Sequence, residues 1–279
     1  MESKVQLLIN KCNKINKSDK GLEIDEIEED DYIKWKLYDI TINDDEFKIG
    51  DTIIKYQLIH TKINDSNKPL LIIPGFSDKS VCWTIGRINR YITEFSEIFQ
   101  KYSDIYIINL ENVKDAMNIL KLMPNFSRDT FDLQISEHID KILSMLYNKH
   151  DKTKFVILAR SAGGGQAILL IFQNKNNGKI KSVFLMAPGY KKLGLSQEDK
   201  DILLELNDDD EPLPITLAYV NKDTRIPRDE IIELKRVFEE EIKYKKFKYI
   251  EIDRDESIIV DGNRDRHFHR FQPELVELL

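Results

Sequence analysis

The stretch Phe155-Val156-Ile157-Leu158-Ala159-Arg160-Ser161-Ala162-Gly163-Gly164-Gly165-Gln166 decides how this sequence is read. Five apolar residues in a row have the length of a strand covered on both faces, and the apolar segment Gln166 to Phe172 reads as a helix. Ser161 stands on the turn between them. A nucleophile on so tight a turn is pushed clear of the sheet in a strained backbone conformation, and the helix that follows must cross close to the strand. Only small residues then fit two before and two after the serine, which Ala159 and Gly163 satisfy. A plainer reading, a buried serine opening a glycine-rich helix, fits the same residues. The three glycines form neither GxGxxG nor GxxxxGK[ST], so a nucleotide cradle is not expected. Arg160, Ser161 and the glycines also interrupt the apolar run, so it is no membrane span.

Working outward, strands are expected at Leu70 to Ile73, a continuous apolar run, and at Ile105 to Leu110, Val183 to Ala187, Ile215 to Val220 and Lys248 to Ile252. Helical spacing appears at Phe131 to Tyr147, Gln197 to Leu206 and Arg228 to Ile242. Two further strands are expected at Glu46 to Ile49 and Thr52 to Thr61, around a Gly50-Asp51 turn. Strands alternating with helices imply an α/β architecture, a mostly parallel central sheet with helices on both faces. Chemistry is then expected in the loops at the carboxyl ends of the strands.

Two of those loops matter. The run Ile215 to Val220 ends in Asn221-Lys222-Asp223-Thr224-Arg225-Ile226-Pro227, which puts Asp223 at a strand end. After the last strand comes Asp265-Arg266-His267-Phe268-His269-Arg270-Phe271-Gln272-Pro273. The order Ser161, Asp223, His267, with small-x-Ser-x-Gly at a strand-turn-helix junction, resembles the α/β-hydrolase superfamily and differs from the chymotrypsin and subtilisin orders. The family usually has Gly where Ala159 stands.

The resemblance implies a serine hydrolase of carboxylic esters or thioesters. Ser161 would be the nucleophile, His267 the base and Asp223 the group that orients the imidazole. His269 is the alternative base; His267 is preferred because the family tends to place its histidine about six residues before a proline such as Pro273. The oxyanion hole would be the backbone N–H groups of Ala162 and Phe76. Pro74-Gly75 stands where the family often has His-Gly, and Pro74 has no N–H. His60, His138 and His150 are expected in structural or surface roles. The resemblance also places a short lid at about 189–212, with Phe76, Trp83, Leu193 and Leu195 as candidates for an apolar acyl wall or for lid packing.

Composition bounds the rest. The 279 residues carry 42 Lys and Arg against 49 Asp and Glu, a net charge of −7, so general attraction to nucleic acid is not expected and the sequence contains no basic stripe. The two cysteines, Cys12 and Cys82, have no metal-ligand or disulfide spacing, and the acidic run Asp208 to Glu211 has no His or Cys beside it. No cofactor and no metal are expected, and an intracellular, cytoplasmic setting is. Residues 1–45 read as an extension, with Val5, Leu8, Ile9, Cys12 and Ile15 on one face of a basic amphipathic helix and an acidic linker at Asp25 to Asp31; residues 46–279 read as the hydrolase domain. A small acyl ester or thioester is the expected partner. Two other readings remain: a non-catalytic binding or scaffold protein on the same fold, motivated by Pro74, and a membrane-associated lipase touching lipid through the basic helix.

Overall fold

Three of the expected strands are buried along their whole length. In the computed structural model β3 (Leu70–Ile73), β4 (Asp104–Leu110) and β5 (Phe155–Arg160) are buried at every position. The structure describes residues 41–75, 101–123, 125–173, 178–189, 195–220 and 226–252, with Leu7, Asn10, Asp223, 258–260 and 263–265. The acidic linker, Phe76, Trp83, Leu193, His267 and His269 lie outside the described residues, as does the amphipathic helix apart from Leu7 and Asn10.

The edge of the sheet is a hairpin of β1 (Thr41–Ile49) and β2 (Thr52–Lys62), turning at Gly50, whose φ of 57° suits a residue without a Cβ. The hairpin reaches back to Thr41 because Thr41 to Asp45 pair residue by residue with Tyr56 to His60. Those five residues are mostly exposed and polar, so they lack the alternation that marks a half-buried strand.

After β4 come α1 (Val113–Leu120) and α2 (Arg128–Lys149), the latter capped by Ser127 Oγ, which accepts from Thr130 N–H. Beyond β5 the chain forms α3 (Ala162–Gln173), β6 (Ile180–Met186), α4 (Gln197–Asp208), β7 (Ile215–Val220), α5 (Arg228–Arg236) and β8 (Phe247–Ile252). A small hairpin of β9 (Ile258–Val260) and β10 (Asn263–Asp265) stands apart from the main sheet. The spacing that suggests one helix to Ile242 is broken by a π turn at Val237–Glu241. That turn buries Val237 and Phe238, and the Phe238 ring stacks on Phe247 at 4.7 Å.

The eight strands are ordered β1-β2-β4-β3-β5-β6-β7-β8. β2 runs antiparallel to both neighbours, and every pair from β4 onward is parallel. The chain goes from β3 outward to β4, then returns to place β5 on the other side of β3. Such a reversal leaves a crevice at the carboxyl ends of the two strands, which here is where Pro74-Gly75 and Ser161 lie. α3 packs on α2 and lies over β3, β5 and β6, its buried face carrying Ala167, Ile168, Leu170 and Ile171.

Candidate active site

Ser161 has φ of 51°, in the left-handed region that costs an L-residue free energy, and it does so between the last residue of β5 and the first of α3. The strain is held by bonds on both sides. Ser161 N–H donates to the Met186 carbonyl at 3.0 Å, and the Ser161 carbonyl accepts from Gly164 N–H at 2.8 Å and from Gly189 N–H at 2.7 Å.

The small residues are forced by the close crossing. A Cβ at Gly163 would lie 2.1 Å from the Ile73 carbonyl oxygen and 2.4 Å from that of Pro74; one at Gly164 would lie 2.6 Å from Pro188 Cβ. Gly163 therefore seats the first turn of α3 on the exit of β3, and Gly164 seats it on the exit of β6. The second contact is illegible in the sequence because it depends on which loop lies beside the turn. Ala159 is fully buried, paired between Ile73 and Leu185.

Asp223 follows β7, two strands from β5. Its Oδ1 accepts from Ile226 N–H at 2.9 Å, an Asx-type turn that fixes the carboxylate ahead of Pro227. Buried Tyr219 donates its hydroxyl to the Ile226 carbonyl at 3.3 Å. Burial first, and then the Asp223 charge, push the Tyr219 hydroxyl up to about 12, so it stays a donor at any ordinary pH. Gly189 links the two loops: a Cβ there would meet Ile226 Cδ1 at 3.3 Å and Ala162 N at 3.5 Å. Ser161 and Asp223 are thus brought to one end of the sheet by a shared packing path.

Ala162 opens α3, where the helix dipole favours negative charge, and it lines a cleft of about 410 Å³. Gly165, Gln166 and Leu169 of α3 form one wall, Leu133 of α2 another, and Ile202 of α4 faces them. Residues 189–212, where a lid is expected, contribute α4, whose start is closed by a Ser196–Asp199 capping box. Leu195 does not line this cleft and is packed into the core. Gln166 is almost wholly buried, and its Oε1 has no hydrogen-bond partner among the described residues.

The three described histidines lie elsewhere. His60 Nε2 is 2.7 Å from Asp104 Oδ1 at the start of β4, and His150 Nε2 is 2.8 Å from the Tyr106 hydroxyl. His138 stacks on Phe47 at 3.9 Å, against the β1–β2 hairpin. Among the described residues no group of His, Cys, Asp or Glu could hold a metal ion, and no helix is long and apolar enough to cross a membrane.

No family model matches the chain, and no curated protein matches it in sequence. Solved structures do match. A thermostable esterase is similar at 12% identity over 85% of this chain and 62% of its own, with a TM-score of 0.55. A dienelactone hydrolase from Anabaena variabilis is similar at 14% identity over 86% of this chain and 93% of its own, with a TM-score of 0.50. At such identities the likeness is one of architecture, and it agrees with the sheet order and the Ser161 turn: the chain has the α/β-hydrolase fold.

Proposed function

We propose that the chain is a serine hydrolase cleaving a carboxylic ester or thioester through an acyl-enzyme. The observation that carries this is the strained Ser161, held at the switch point of the sheet between a parallel strand and a helix that only glycine at 163 allows so close. Strained backbone clusters at active sites, and here it falls on a serine at the carboxyl end of a central strand. The names of the two solved neighbours, an esterase and a dienelactone hydrolase, support the same chemistry.

In this reading His267 takes the Ser161 proton as Oγ attacks the acyl carbon, then returns it to the departing alcohol or thiol; His269 is the alternative base. Asp223, oriented by Ile226 N–H, holds the imidazole tautomer and stabilises the imidazolium. The tetrahedral oxyanion is met by the N–H groups of Ala162 and Phe76, with the α3 dipole behind the first. Water repeats the sequence to release the acid. The substrate is a small acyl ester or thioester, one side of which occupies the cleft beside Ala162.

The test is hydrolysis of p-nitrophenyl butyrate by the purified chain and its variants. Ser161→Ala and one of His267→Ala or His269→Ala should each lower kcat by at least about 10³-fold. Turnover unchanged by Ser161→Ala would overturn the assignment. No turnover at all by a folded protein would favour a binding protein on this fold.

A further inference from the structure

At the end of the sheet opposite Ser161, five of the six parallel strands have a lysine at or just ahead of their start. Lys101 and Lys68 lie just ahead of β4 and β3, Lys154 immediately precedes β5, Lys181 is the second residue of β6, and Lys246 immediately precedes β8. They are scattered through the sequence, but the order β4-β3-β5-β6 sets the first four on adjacent strands, with Lys246 beyond β7. With neighbouring strands about 4.8 Å apart, the first four fall within roughly 15 Å. Topology therefore assembles a basic row that no run of sequence displays, in a chain whose net charge is −7.

Lys68 lies among these charges. Lys68 and Lys101 both place Nζ over the ring of Tyr102, at 4.7 and 5.7 Å from its centroid. Partial burial, and then the charges of Lys101 and Lys181, hold the Lys68 ammonium below its ordinary range. Among the described residues no carboxylate pairs with Lys68, Lys101 or Lys181. Nearby lysines differ: Lys179 is neutralised by Asp140 at 3.2 Å and Lys62 by Asp65 at 2.6 Å. Like charges gathered without a directly paired carboxylate repel one another, and an anion bound among them would relieve that repulsion.

Lys181 also borders a cavity of about 580 Å³, a size suited to a small molecule. Lys154 and Lys246 line it too, with Leu206 and Leu213 as apolar surface and Asp209 and Glu211 as acceptors. We propose that this end of the sheet binds a small soluble phosphate-bearing anion, its phosphate against Lys68, Lys101 and Lys181 and its remaining, hydroxyl- or amine-bearing part in the cavity. Lysine ammonium groups supply charge and three donors each, and the two carboxylates accept from the donors of the organic part.

The experiment titrates inorganic pyrophosphate into the full chain at constant ionic strength, with sodium chloride as the balancing salt, reading heat of binding and Tm. Saturable binding with a rise in Tm is expected. Lys68→Gln and Lys181→Gln should each weaken it at least tenfold, while Lys62→Gln should leave it unchanged. Lys68→Gln should also melt no lower than the parent in pyrophosphate-free buffer, because it relieves repulsion. A response no larger than chloride gives, equal weakening by Lys62→Gln, or attachment only to phosphatidylcholine vesicles containing phosphatidic acid would overturn the proposal. Binding is read without any ester present, so the hydrolase assignment and this one fail separately.

Discussion

Gly189 N–H donates to the carbonyl oxygen of Ser161 at 2.7 Å, tying the loop after β6 to the turn after β5. Gly189 in turn lies against Ile226, whose own N–H holds Asp223 Oδ1 at 2.9 Å. The serine and the acid are therefore tied together through the loops after β6 and β7, although they stand 62 positions apart in sequence.

That path separates structure from chemistry at Asp223. Asp223→Asn keeps an oxygen for Ile226 N–H but loses the charge that, in the proposed mechanism, stabilises an imidazolium. The variant should melt within about 2 °C of the parent while kcat on p-nitrophenyl butyrate falls by about 10³–10⁴-fold. A stable variant with parental kcat would remove Asp223 from the mechanism.

The crossing at Gly163 has no room to give, because the atoms a Cβ would meet are backbone carbonyls of Ile73 and Pro74. Gly163→Ala should cost at least about 2 kcal/mol, a fall in Tm of roughly 4–8 °C for a domain of this size. Thermal unfolding followed by circular dichroism measures it, and an unchanged Tm would mean that the helix crosses farther from the strand than described.

Strain at Ser161 has its own signature. Glycine at φ of 51° avoids the Cβ penalty that alanine keeps, so Ser161→Gly should be more stable than Ser161→Ala by about 1 kcal/mol although both remove the hydroxyl. At ordinary backbone angles the order would be reversed.

Acid should weaken the fold through His138. Burial first, then the Lys141 charge, hold its imidazole below the ordinary value of 6.5, against a smaller opposing pull from Asp45. Its Nε2 is buried beside Phe47 and Tyr56 without a hydrogen-bond partner among the described residues. The folded pKa lies below the unfolded one, so the unfolded chain binds the proton first as pH falls through about 6.5. Stability is retained above that pH and lost below it. His138→Phe, which keeps the stack on Phe47, should flatten the decline in denaturant midpoint between pH 7 and pH 5.5, and a parallel decline in both proteins would assign the effect elsewhere.

The parts of the fold legible in the sequence are those that burial writes in one dimension. Buried parallel strands read as unbroken apolar runs, as in Leu70 to Ile73 and Phe155 to Ala159. Ser161 stood out because the tight turn demands small neighbours at fixed offsets. Short amphipathic α1, the polar first half of β1 and the π turn at Val237–Glu241 were hidden, since none has a long periodic pattern. The pairing of Gly164 with Pro188 and the lysine row were hidden for another reason: each is made by which strands become neighbours, and topology has no local signature.

The central claim is an activated nucleophile at residue 161, and covalent labelling tests it most directly. The purified chain is treated with a fluorophosphonate and mapped by peptide mass spectrometry, alongside Ser161→Ala, His267→Ala and His269→Ala. The account predicts a single adduct on Ser161, absent from Ser161→Ala and strongly reduced in the variant lacking the base. A folded chain that takes no label, or takes it equally after Ser161→Ala, would contradict it.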